Sequence, residues 1–146
     1  MNDILEFDGE HRWLSNFWPA EVVLDGVKYP TTENAYQAAK TIDPVIRKQF
    51  VNCTPGMAKK LGQVIAIRND WEQIKIDVMT ELLKQKFAIN TEFGQKLLNT
   101  HNVKIVEGNY WHDTFWGVCN GVGKNMLGKI IMNIRRDLKF DDVIAF

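Results

Sequence analysis

Glu33, Tyr36, Gln37 and Lys40 recur at i, i+3, i+4 and i+7, so on a helix they share one face. A carboxylate set among hydrogen-bonding side chains can stabilise a developing cation or move a proton. Ala35, Ala38 and Ala39 leave the rest of such a helix thin enough for close packing. The spacing permits a site wall without requiring one. Glu33 in a first turn also complements the helix dipole, and Lys40 also suits a solvated position.

A second group is Trp111-His112-Asp113-Thr114-Phe115-Trp116-Gly117, where two tryptophans bracket a carboxylate in a stretch too irregular for an amphipathic element. Aromatic faces stack on planar bases, and an aspartate among them can have its pKa raised toward acid or base work. The alternative stays open: Trp111 and Trp116 fill the core, and Asp113 caps a turn.

Gly121-Val122-Gly123-Lys124-Asn125 precedes an apolar helix, and successive backbone N–H groups at a glycine-rich helix start form an anion site. A Walker loop would need glycine where Val118 stands and Ser or Thr where Asn125 stands, so ATP hydrolysis is disfavoured. A plain turn fits the same residues.

Lys59 and Lys60 sit beside Ala58 and Gly62, and a lysine in an apolar setting can lose its proton and form an imine with an opened sugar. Most paired lysines are simply solvated. His11, His101 and His112 show no HxxxH or HExxH spacing, Cys53 and Cys119 stand far apart, and no glycine-elbow serine is present. The residues therefore call for no metal, disulfide framework or serine-hydrolase triad.

The elements that must position these groups follow from local pattern. Residues 21–29 carry two short β-prone runs around Asp25-Gly26, a dipeptide suited to a type I′ hairpin. A helix over 33–41 follows, then short helices at about 44–51 and 55–62, the latter opened by Thr54-Pro55. The longest helix is expected from Asn69, with Asn69 and Glu72 as a capping box and an apolar stripe of Trp71, Ile74, Val78, Met79, Leu82, Leu83 and Phe87. A helix at 92–99, a strand at 103–106, an irregular segment at 107–123 and a last helix at 125–138 complete the reading. Helices mixed with a few strands, without a βαβ rhythm, predict an α+β class: one helix-rich domain, residues 1–146, with a small antiparallel β-hairpin.

The 146 residues suit one core, and 18 basic against 18 acidic side chains give no global field toward nucleic acid or an anionic membrane. No apolar run is long enough to span a bilayer and no secretion signal opens the chain, so a cytoplasmic location is expected.

Five blocks in order, LSNFWPAEVVLDGVKYPTTENAYQAAK at 14–40, GMAKKLGQ at 56–63, DWEQIKIDVM at 70–79, KFAIN at 86–90 and DTFWGVCNGVGKNMLGKIIMNIR at 113–135, resemble the NADAR (YbiA-like) family over nearly the whole chain. The resemblance implies an N-glycosidase without cofactor or metal. Its substrate would be a small phosphorylated ribosyl compound, either a riboflavin-pathway intermediate carrying ribose 5-phosphate or ADP-ribose on a base such as guanine in nucleic acid. A non-catalytic module binding ADP-ribose or a nucleotide is the alternative, and the oligomeric state is left open.

Carried over by position, the resemblance makes Glu33, Asp113 and Lys59 the catalytic candidates. Glu33 would act beside C1′, Asp113 would assist proton transfer or position the sugar, and Lys59 matches a lysine that acts covalently in ADP-ribose-cleaving members. Asn16, Phe17, Tyr36, Trp71, Trp111, Trp116, Gly121, Gly123, Lys124 and Asn125 become substrate-binding candidates, with Asn16 orienting a hydroxyl and the tryptophans stacking on the base. Asn34 departs from the family, where many members have histidine.

Overall fold

The structure is a computed structural model that describes residues 1–144. Its helices are a 3-10 turn at Gly9–Leu14, α1 (Thr32–Ala38), α2 (Pro44–Lys48), α3 (Pro55–Gly62), α4 (Trp71–Lys86), α5 (Glu92–Leu98) and α6 (Met126–Ile144). The strands are β1 (Val22–Leu24), β2 (Val27–Tyr29), β3 (Gly108–Asn109) and β4 (Val118–Cys119), and the class is α+β. Contacts group into two compact units, Asn16–Lys86 and Met1–Ser15 with Phe87–Phe146. No described helix is long and apolar enough to cross a membrane.

In the 16–86 unit, β1 and β2 form the expected antiparallel hairpin, with Val23 opposite Lys28. Asp25 and Gly26 take φ of 48° and 82°, the two positive values that a type I′ turn requires. The outer edge of β1 is closed by a side chain: Gln85 on α4 accepts from Val23 N–H at 2.7 Å and donates to its carbonyl at 2.8 Å. The core gathers Val22, Tyr29, Phe50, Met79, Leu82 and Leu83.

Helix α1 packs against α3, α4 and the hairpin, and all seven of its residues are buried although four are polar. Buried polar side chains carry a desolvation cost that must be met by partners. Thr31 caps the helix by accepting from Asn34 N–H at 3.1 Å. Asn34 then donates to the carbonyls of Phe50 and Cys53, both at 2.8 Å, and so ties α1 to the chain after α2. The residue that departs from the family pattern is therefore a structural clamp here.

Two expectations for α4 are corrected. The helix starts at Trp71, where Asp70 supplies the first helical acceptor carbonyl to Gln73 and Ile74. With the helix starting at Trp71, Asn69 lies one residue too early for the expected capping box, and Arg68 bonds the Asp70 carboxylate at 2.6 and 3.1 Å. Nor is α4 the longest helix, since its 16 residues are exceeded by the 19 of α6. Of its expected stripe, Trp71, Met79, Leu82 and Leu83 are buried, while Ile74 and Val78 are half-buried.

In the other unit, Ile4, Leu14, Phe87, Leu97, Ile105 and Ile131 are fully buried. The strand expected at 103–106 is reduced to one parallel bridge between Ile4 and Ile105. Ile4 N–H donates to the Lys104 carbonyl, the Ile4 carbonyl accepts from Val106 N–H, and the Leu5 carbonyl accepts from Gly108 N–H at 3.1 Å. The second two-stranded sheet is parallel, with Gly108 beside Val118, whereas only antiparallel pairing was expected.

Candidate functional site

The 16–86 unit brings Asn16, Glu33, Tyr36, Lys59 and Trp71 of the candidate residues together. Glu33 is 7% exposed, and Gln37, one turn later, donates from Nε2 to its Oε1 at 2.9 Å. Glu33 N–H donates to the Asn16 carbonyl at 3.1 Å, so the loop before the hairpin sets the start of α1. The Asn16 amide donates to Met79 Sδ at 3.6 Å, which leaves its buried Oδ1 without a hydrogen-bond partner. A buried acceptor with no donor carries an unmet desolvation cost.

Tyr36 lies on the same face, its ring centre 5.1 Å from that of Trp71 at a 59° tilt. With 5% exposure Trp71 offers little open face for stacking on a base. Its ring packs against Tyr36. Phe17 is 41% exposed and is the open aromatic among these candidates.

Lys40 lies beside the same ring, its Nζ 5.8 Å from the Tyr36 centroid. Burial is the main cause that lowers its pKa, Lys75 and Lys59 lower it further, and Glu33 opposes them. Lys40 is thus part of the site's electrostatics, and not a merely solvated end. Lys59 is half-buried on α3, while Lys60 is exposed, as the phase of the helix dictates.

Gly62 ends α3 against Gln37, and a Cβ there would collide with Gln37 Oε1. Gly62 and Lys75 were missed in the sequence as neighbours of this face. Gln37 was visible as the i+4 partner of Glu33, whereas Lys75 gave no local sign. Gly62 gave no sign beyond a helix end.

The other unit holds Trp111, Asp113, Trp116, Gly121, Gly123, Lys124 and Asn125. Asp113 Oδ1 accepts from the N–H groups of Phe115 and Trp116 at 3.1 and 2.9 Å, which is the turn-capping role. Asn109 clamps its backbone, accepting from Asp113 N–H at 3.1 Å and donating to its carbonyl at 2.9 Å. Glu107, which the sequence reading passed over, lies 3.3 Å from the same Asn109 amide. Trp111 is 46% exposed and meets Tyr110 edge to face at 5.1 Å, and Trp116 meets Phe115 likewise at 4.8 Å.

At the start of α6, where an anion cradle was expected, four backbone N–H groups are bonded within the unit. Lys124, Asn125, Met126 and Leu127 donate their N–H groups to the carbonyls of Thr114, Gly117, Phe115 and Trp116 at 2.8 to 3.2 Å. Asn120 and Gly121, with φ of 51° and 77°, form a tight turn closed by Cys119 and Val122. Gly123 takes φ of 153°, and a Cβ there would strike the Gly117 carbonyl. Asn125 spends its amide inside the unit, accepting from Glu107 N–H and donating to the Ile105 carbonyl, both at 2.9 Å. Lys124 keeps its side chain over the Phe115 ring, at 5.7 Å.

Three arginines that could have met a phosphate are held by the chain. Arg47 bonds Asp25 at 2.6 Å and the Thr41 carbonyl at 2.7 Å, and Arg68 grips Asp70. The buried Arg135 donates to Thr100 Oγ1 and to the Val103 carbonyl, both at 2.8 Å.

A sequence model of the NADAR domain matches residues 6–139. The chain is 36% identical over 134 residues to the N-glycosidase YbiA of Shigella boydii, covering 88% of this chain and 82% of that protein. It is 32% identical over 138 residues to a riboflavin biosynthesis protein of Vibrio vulnificus, covering 92% of this chain but only 37% of that longer protein. Among solved structures, the NMR structure of the Escherichia coli protein YbiA superposes with a TM-score of 0.84 at 30% identity, covering 98% of this chain and 89% of that one.

Proposed function

We propose, because this chain belongs to the NADAR domain family, that it is an N-glycosidase cleaving the bond between C1′ of a phosphorylated ribose and a nitrogen base. The observation that carries this reading is the buried Glu33 carboxylate, held by Gln37 on the face that also bears Tyr36 and Lys40. The relatives named N-glycosidase support the reaction class. The reading takes residues 1–146 as one domain, supported by a family match that runs through both compact units.

Departure of the base builds positive charge at C1′, and a desolvated carboxylate beside that atom lowers the barrier. In direct hydrolysis, Glu33 stabilises this charge and takes a proton from the attacking water; the C1′–N bond breaks and the base leaves with a proton drawn from solvent. Asn16 Oδ1 takes a ribose hydroxyl, supported by its lack of any other partner. In the covalent variant, the Lys59 amine attacks C1′ as its proton passes to the departing base, and the ring opens to an imine. Water then adds to the imine and releases the sugar and the amine. Sodium borohydride would trap that imine on Lys59, and absence of an adduct during normal turnover assigns direct hydrolysis.

The substrate is a ribose carrying phosphate, either as a 5-phosphate or within ADP-ribose. Release of free base is measured by chromatography from a ribosylamino-pyrimidine 5′-phosphate and from ADP-ribosylated guanine in single-stranded DNA. Turnover of one substrate, reduced about 10²- to 10⁴-fold in Glu33→Gln, supports the assignment. Tight binding of both without release of base would make the protein a binding module instead.

A further inference from the structure

Within the unit that holds Asp113, one side chain grips both backbone groups of that residue. Asn109, which ends β3, accepts from Asp113 N–H at 3.1 Å and donates to the Asp113 carbonyl at 2.9 Å. Residues 110–112 bulge out between the two, and His112 takes φ of 65°. A residue other than glycine keeps such a backbone only where its surroundings fix it. The Asn109 clamp, immediately after His112, does so.

The amide of Asn109 has one favourable orientation. Its Nδ2 also lies 3.3 Å from Glu107 Oε2 and 3.5 Å from the Glu107 carbonyl, so a reversed amide would set an oxygen against acceptors on both sides. Glu107 is held in turn: its N–H donates to Asn125 Oδ1 and its carbonyl accepts from Val118 N–H, both at 2.9 Å. Gly117 completes the arrangement, because a Cβ there would strike the Glu107 carboxylate, the Glu107 carbonyl and Asn109 Nδ2. The glycine that follows Trp116 is thus required by the packing of this clamp.

For Asp113 the consequence is a carboxylate with little freedom. Its N–H and carbonyl are held by Asn109, and its Oδ1 by the N–H groups of Phe115 and Trp116. Among the described residues no group bonds Oδ2, and Asp113 is half-buried, so this oxygen is open to a ligand. Capping a turn needs one oxygen and no clamp on the backbone of the capping residue. Fixing every other polar group of the residue gives Oδ2 a set position, which is how a side chain is preorganised for binding or chemistry.

We propose that Asp113 presents Oδ2 to a donor group of the substrate and that Asn109 is the positioning residue that aims it. This rests on the glycosidase reading for the reaction, while the coupling of the two residues is readable in ligand affinity as well.

The test is a double-mutant cycle on the full chain: wild type, Asn109→Ala, Asp113→Asn and the double variant, each shown to be folded by its urea midpoint. Base release and calorimetric affinity for ribose 5-phosphate and ADP-ribose are measured for all four. We expect kcat/KM to fall about 10²-fold in Asp113→Asn and about tenfold or more in Asn109→Ala. The double variant should fall no further than Asp113→Asn alone, because the amide acts only through the carboxylate. Asn109→Asp, which keeps the acceptor for Asp113 N–H and loses the donor, takes the place of the alanine variant if that one does not fold. Losses that multiply in the double variant, or full activity in either single variant, overturn the proposal and leave the glycosidase standing. Absence of base release by wild type, with the same non-additive pattern in ligand affinity, retains the positioning role and overturns the glycosidase reading. Neither release nor binding by wild type overturns both.

Discussion

The Gln37 amide joins Glu33 to Gly62: Nε2 donates to the Glu33 carboxylate at 2.9 Å, while Oε1 rests where a side chain on Gly62 would have to go. The carboxylate is therefore oriented by a glycine on another helix, through an amide that has little room to rotate.

Gly62→Ala should push the Gln37 amide off Glu33. Overpacking of this kind costs about 1–3 kcal/mol, read as a lower urea midpoint, and kcat for base release should fall by about tenfold or more through loss of carboxylate orientation. Gln37→Ala should lower kcat while sparing the close approach of α3. Wild-type kcat in both variants would show that Glu33 needs no such support.

Asp113 separates charge from turn geometry. Asn keeps an Oδ1 acceptor for the Phe115 and Trp116 N–H groups, while alanine removes it. If Asp113 acts only as the cap, Asp113→Asn retains near wild-type turnover and Asp113→Ala loses about 1 kcal/mol of stability. Loss of turnover in the well-folded Asn variant, by about 10²-fold or more, would instead assign chemistry to the carboxylate.

Lys86 sets a pH dependence of stability. It is 2% exposed, and burial lowers its pKa from 10.5 to about 7. Between those values the unfolded chain binds the proton that the folded chain has released, so this residue makes stability rise from pH 7 toward 10.5 and contributes no slope below the folded value. The rise should be on the order of a few kcal/mol, read from urea midpoints at pH 7, 8.5 and 9.5. In Lys86→Met the slope should disappear; an identical pH profile in the two proteins would refute it.

Gly123→Ala should destabilise the loop before α6, because an alanine there meets the Gly117 carbonyl in a backbone conformation that L-residues avoid. The cost should exceed about 1 kcal/mol, whereas Gly56→Ala, with open space around it, should cost little. Equal midpoints for the two variants would contradict the assigned crowding.

Much of the architecture was legible because it rests on short-range chemistry. Asp25-Gly26 announces its hairpin through φ alone, and Thr54-Pro55 announces α3, where Thr54 accepts from Met57 N–H at 3.2 Å. The polar face of α1 was readable from spacing, and Gln37 does meet Glu33 four residues away. What escaped depends on partners distant in sequence. The N–H groups at the start of α6 looked open until the Thr114–Gly117 carbonyls filled them, and the packing of Trp71 on Tyr36 is set between two helices. Lys75 carried no local signal, since its relation to Lys40 exists only once α4 packs on α1.

The Gln85 amide, bonded to both the N–H and the carbonyl of Val23, stands where the next strand of a sheet would pair. An open strand edge is a template for another chain, and intermolecular β-addition is the common first step of aggregation. By offering β1 a short surrogate strand that ends after one residue, α4 makes the hairpin a poor seed for such growth. A two-stranded sheet can then remain in a concentrated solution without recruiting its neighbours.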